Sequence, residues 1–245
     1  MRRTLFPALL AWLCCAGALA QNAPEPTVTV GFYEFPPYSW TDDAGQPRGS
    51  FLALTERLLR HVGYRGEYRS LPGARLYAGL QDGSVQLWAG AGGKAELVGH
   101  TYEARHSLGD LSLALYHRPD TPPPQIPEGL RGKDIIVITG YSYWKQINDL
   151  LANPAMGIST HRTSTHASAL EMLLRKRGDF LLDYQAPVEQ TRKSLGLSPL
   201  PYTVLQHIQL RLIASRHAAG GQQLLDQLDR AYEDLQAAGE NMRVD

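Results

Sequence analysis

Cysteine is nearly missing from this 245-residue chain: the two present, Cys14 and Cys15, are adjacent and lie within the first twenty residues. No disulfide framework and no cysteine-based zinc site is therefore expected in the body of the protein. An excess of one charge is missing too, since 24 Lys and Arg stand against 24 Asp and Glu. With no basic block either, nothing in the sequence recommends nucleic acid as a partner. Beyond the N-terminal segment, no apolar run reaches the roughly 18 residues from which a membrane-spanning helix is read. The patterns Gly-x-Ser-x-Gly and His-Glu-x-x-His do not occur, and the glycines Gly90, Gly92 and Gly93 precede no recognisable phosphate-binding helix. No cofactor, no metal and no catalytic residue is expected from these signals. There is no internal repeat, and Pro122-Pro123-Pro124 is the one low-complexity tract.

The N-terminus carries Arg2 and Arg3, then an apolar stretch from Leu5 to Leu19, then Ala18-Leu19-Ala20. This pattern predicts an export signal over residues 1 to 20, cleaved near Ala20, and hence a periplasmic destination. Trp12 and Leu13 before the cysteines do not give the small-residue pattern of a lipid-attachment site. Removing the signal leaves about 225 residues, enough for two modest cores.

Val28 to Phe32 is β-prone and runs into the cluster Tyr33-Glu34-Phe35-Pro36-Pro37-Tyr38-Ser39-Trp40, whose prolines stop the strand. Leu54, Leu58, Leu59 and Val62 fall at helical spacing before Gly63. A strand around Tyr68, a helix over Leu76 to Leu80 and a strand over Val85 to Trp88 complete a β-α-β-α-β order, which predicts an α/β layer with parallel strands. After the proline-rich stretch Pro119 to Pro127 the same grammar restarts. Asp134 to Thr139 reads as a strand buried on both faces, with Gly140 opening a helix that Asn153-Pro154 ends. Ile158 begins another strand region, Ser164 or Thr165 caps a helix carrying Ala169, Leu170, Leu173 and Leu174, and Gly178 closes it. Phe180-Leu181-Leu182 is the next strand; His207 to Ser215 and Gln222 to Ala238 form a last strand and helix.

These residues, in this order, resemble the type II periplasmic solute-binding family, which includes binding proteins for polar amino acids. The likeness spans nearly the whole chain after the signal. It rests on Phe35-Pro36-Pro37-Tyr38, on Gly45 and Gly49, and on Arg75 with Leu80 and Gly83. It continues through Leu130-Arg131-Gly132-Lys133-Asp134-Ile135, Gly178 to Asp183 and Ala238-Gly239. The resemblance implies an α/β, two-lobed, venus-flytrap fold with two hinge crossovers. Lobe one would be residues 27–108 plus 207–245 and lobe two residues 110–203, with the hinge at Leu108 to Leu111 and Tyr202 to Gln206. It implies capture of a small polar metabolite, and a membrane permease of the ABC type or a sensor receptor as partner. The protein is expected to be a monomer and a binder. The alternatives are an enzyme of dehydratase type on the same scaffold and a ligand-presenting adaptor.

Ligand sites in open α/β sheets lie beyond the carboxyl ends of the strands. That rule selects Tyr38 and Trp40 as an aromatic wall, Gly90 and Lys94 after the third strand, and Thr139, Gly140 and Ser142 as an anion-binding helix start. It also selects Asp183 and Tyr184. In the amino-acid-binding relatives an aspartate at the matching place holds the ligand's amino group. Those relatives also carry an arginine that forks the ligand carboxylate, and Gln86 to Val98 holds none here. Lys94 or Arg75 is then the candidate replacement, and the ligand is left open among amino-acid-like compounds, amines and organic acids. His161 and His166 read as residues of a solvated loop, and Arg175-Lys176-Arg177 as a charge run at a helix end.

Overall fold

The computed structural model describes residues 25–141 and 143–244. The expected export signal lies outside them, as does Ser142. No described helix is long and apolar enough to cross a membrane.

Strand β1 (Thr27–Phe32) buries Val28, Val30 and Phe32 and leads into a loop holding the short hairpin β2 (Trp40–Thr41) and β3 (Pro47–Arg48). Helix α1 (Ser50–His61) puts Phe51, Leu54, Leu58 and Leu59 on one face, as its 3–4 spacing predicts. Strand β4 (Arg65–Ser70), helix α2 (Gly73–Asp82) and strand β5 (Leu87–Ala91) follow, and β1 pairs in parallel with both β4 and β5. A short β6 (Thr101–Glu103) precedes β7 (Gly109–Tyr116). The second half repeats the pattern with β8 (Asp134–Ile138), α3 (Lys145–Ala152), β9 (Ser159–Thr163), α4 (His166–Leu174), β10 (Phe180–Tyr184) and α5 (Gln185–Ser194). Strand β8 lies between β9 and β10, parallel to both.

Strand β11 (Tyr202–Ser215) joins the halves. It runs antiparallel to β7 from Tyr202 to Leu210 and to β5 from Leu210 to Ala214, with a register shift between Val204 and Gln206. The sheet order is β4-β1-β5-β11-β7-β10-β8-β9, with β6 on β11. Two parallel α/β units thus meet at two antiparallel crossover strands. Helix α6 (Gly221–Ala237) returns to the first unit, where buried Asp229 accepts the backbone N–H groups of Arg105 and His106.

Two helix boundaries differ from those the sequence predicts. The helix expected to open at Gly140 begins at Lys145. Gly140 takes φ +85°, a left-handed turn that does not continue into a helix, and the Tyr143 hydroxyl accepts from Ile138 N and donates to Leu182 O. Thr165 does cap α4, accepting from Ser168 N, but the helix ends at Leu174 rather than at Gly178 because Lys176 takes the left-handed position at φ 58°. Helix α5, largely polar, has no counterpart in the sequence reading.

Candidate functional site

The carboxyl ends of β1 and β8 feed two loops that face each other. The Phe35 ring, from the first half, meets Tyr141 and Tyr184 of the second edge-on, with centroids at 5.4 and 5.3 Å. Two cavities adjoin this contact, and Glu34, Thr139 and Tyr141 line both. The smaller, about 310 Å³, adds Tyr33, Ser70, Leu71, Pro72 and Gly73 from the first half and Gly140 from the second. The larger, about 480 Å³, adds Pro36 and Trp40 from the first half, and the second half supplies Ser164, Thr165, His166 and Thr191 among others. Each is of a size for a small metabolite.

Behind the wall of the larger cavity lies a chain of titratable groups. Asp183, with no exposed surface, has its Oδ2 2.7 Å from His166 Nδ1, and its Oδ1 accepts from Tyr184 N at 2.7 Å. His166 Nε2 is 3.0 Å from the Tyr141 hydroxyl. Burial pushes the Asp183 carboxyl up, and the His166 and Tyr184 contacts pull it back. Burial, reinforced by the Asp183 charge, also pushes the Tyr141 phenol up, so it stays protonated. With a neutral imidazole, Nδ1–H donates to Asp183 and Tyr141 O–H donates to Nε2; with a protonated one, Nε2 donates instead and frees the Tyr141 proton for another acceptor.

Glu34, on the walls of both cavities, is fixed by neutral donors. Its Oε1 accepts from Thr41 Oγ1 at 2.8 Å and Ser70 Oγ at 2.7 Å, and its Oε2 from Thr41 N at 3.0 Å. Lys94 is 4% exposed, and its ammonium sits 3.8 Å from the centroid of the Trp144 ring, a contact from the first half to the second. Burial pushes its amine down to about 8.

Trp40, Thr139 and Gly140, selected from the sequence, lie on the cavity walls. Tyr38 is buried between the stacked rings of Phe35 and Phe51. Arg75 is exposed on α2 and lines neither cavity. Gly90 lies under the Trp88 indole, which a Cβ there would meet at 2.0 Å. Asp183 and Tyr184 are buried behind the wall, and the later start of α3 removes the helix terminus expected at Gly140, while Ser142 lies outside the described residues. His166, read as a loop residue, is the first residue of α4 and part of the site, whereas His161 lies on β9 beside Asp134. Among the described residues, no group of three or more His, Cys, Asp or Glu is placed to hold a metal.

No family model and no curated protein matches the chain in sequence. Solved structures do match. An ancestral arginine-binding protein bound to arginine superposes with a TM-score of 0.69 at 18% identity, over 88% of this chain and 94% of that one. A histidine kinase sensor domain with similarity to periplasmic binding proteins gives 0.68 at 21% identity, over 87% and 91%. An ancestral amino-acid-binding protein, a precursor of cyclohexadienyl dehydratase, gives 0.66 at 16% identity, over 88% and 91%. At these identities the likeness establishes the fold: α/β, two-lobed, of the type II periplasmic-binding-protein kind.

Proposed function

We propose that this chain, with its two-lobed periplasmic-binding-protein fold, is an exported solute-binding protein that captures a small polar metabolite by closing its lobes over it. The observation that carries this reading is the shared wall of the two cavities, to which Glu34 comes from one half and Thr139 and Tyr141 from the other. A ligand that touches both halves binds the closed form better than the open one, and only such differential affinity drives closure. Lobe one is residues 27–108 plus 207–245 and lobe two residues 110–203. The hinge is at Leu108 to Leu111 and Tyr202 to Gln206, the second of which contains the β11 register shift. The segment 1–20 directs export to the periplasm. The monomer delivers its ligand, an amino-acid-like compound or a related amine or organic acid, to an ABC-type permease or a sensor receptor.

A thermal-shift screen of residues 21–245 against amino acids, polyamines, dicarboxylates and short peptides tests this. A ligand at 100 times its Kd adds about 2.7 kcal/mol, which moves the midpoint of a domain this size by on the order of 5 to 10 °C. An unmoved midpoint across the whole panel at millimolar concentration contradicts the reading. The Asp183–His166–Tyr141 chain, which runs from behind the wall to the cavity surface at His166 and Tyr141, favours one second reading, proton transfer to a bound substrate. Mass spectrometry of the incubated ligand separates the two, because a binding protein returns it unchanged.

A further inference from the structure

We infer that the cleft selects an organic cation, an alkylammonium or guanidinium group seated against Glu34 beside the rings of Tyr33 and Tyr141, and that it requires no carboxylate on the ligand. This rests on the solute-binding reading and names the ligand class for the same site.

Among the described residues lining the two cavities, Glu34 is the one carboxylate, and no lysine or arginine is present. His166 offers a ligand anion no free positive charge, because its Nδ1 is 2.7 Å from the Asp183 carboxylate. The cleft therefore presents one uncompensated negative charge. A ligand anion placed there would meet Glu34 with no cation on the walls to offset it.

Glu34 is also prepared for a donor. A carboxylate has about four lone-pair sites. Thr41 and Ser70 fill two on Oε1, and Thr41 N fills one on Oε2. These neutral donors fix the orientation without cancelling the charge, and one site on Oε2 remains. Aromatic faces beside a carboxylate favour a cation over a neutral donor, since the ring quadrupole adds to the Coulomb attraction.

The groups that would otherwise read an α-amino acid are committed elsewhere. Asp183 is buried and bonded to His166 and Tyr184 N. The Lys94 ammonium lies against the Trp144 ring, and Arg75 lines neither cavity. The Arg211 guanidinium is turned to the carbonyls of Ala104 and Arg105 and to Gln209 Oε1. Among the described residues lining the two cavities no cationic fork is thus left for a ligand carboxylate, and the role of holding the amine moves from Asp183 on β10 to Glu34 after β1.

The test is calorimetric titration of the mature chain with matched probes: arginine and agmatine, lysine and cadaverine, and succinate as an anion. Each pair differs only by the carboxylate. The expected result is that agmatine or cadaverine binds at least as tightly as its amino acid, that succinate gives no heat, and that Glu34→Gln weakens the cation at least tenfold. Should E34Q fold poorly, Thr139→Lys, which brings an ammonium to the same walls with Glu34 intact, is expected to abolish cation binding. Arginine binding more than tenfold tighter than agmatine, cation affinity unchanged in both variants, or binding of succinate with the cations silent overturns the inference and leaves solute binding standing. Silence from every probe in this set and in the wider screen overturns both.

Discussion

His166 Nδ1 lies 2.7 Å from Oδ2 of Asp183, a carboxylate with no exposed surface, and the His166 side chain is itself 11% exposed. The contact ties the first turn of α4 to the end of β10, and so fixes the wall of the larger cavity. Removing one member of a buried pair leaves the other uncompensated, which typically costs about 3 to 5 kcal/mol. His166→Ala is expected to lose on that order at neutral pH in urea denaturation, and the double variant with Asp183→Asn to recover much of it. The sign with pH follows from the raised Asp183 pKa. Without His166 the folded carboxyl rises further, so the folded state binds more protons than the unfolded one above pH 3.8. The deficit of H166A relative to the wild type should then shrink as pH falls and grow as it rises. A pH-independent deficit would contradict the pairing.

Lys94 gives the opposite profile. Burial lowers its amine from 10.5 to about 8, so between these values the unfolded chain binds more protons than the folded one and stability rises with pH. Below about pH 8 the full penalty, on the order of 3 kcal/mol, is present. Lys94→Met is expected to be more stable than the wild type at pH 7 and to lose that advantage between pH 8 and 10.5. Equal stabilities across this range would show that the ammonium is not desolvated.

The Tyr143 hydroxyl bridges Ile138 N and Leu182 O, each at 3.2 Å. Tyr143→Phe leaves two buried backbone groups to find other partners, at a cost of about 1 to 3 kcal/mol. Because the bridge anchors Ile138, directly before the cavity residues Thr139 and Tyr141, faster amide exchange at Ile138 is expected together with weaker ligand binding. Wild-type exchange at that amide would remove Tyr143 from this role.

The fold was largely legible because its signals are local. The spacing of Leu54, Leu58 and Leu59, the apolar run Ile135 to Ile138 and the Thr165 cap each report an element directly. The site was less so, because its pairings are tertiary. Glu34 is oriented by Ser70, 36 residues away, and His166 finds Asp183 only when α4 docks beside β10. The segment after β8 misleads for the same reason. Gly140 before a helical pattern reads as a helix start, yet it takes a left-handed turn and the helix begins at Lys145, while Tyr143 is engaged with Ile138 N and Leu182 O on neighbouring strands.

The central claim is that ligand is held in the cleft between the lobes. Thr139 is exposed and lines both cavities, so Thr139→Trp fills the cleft without removing a core contact. The most direct measurement is calorimetric titration of this variant, alongside the wild type, with whichever compound the thermal screen identifies. The expected result is an unliganded melting midpoint close to that of the wild type and an affinity reduced at least a hundredfold. Wild-type affinity in the filled variant would mean that the ligand binds elsewhere and would contradict the account.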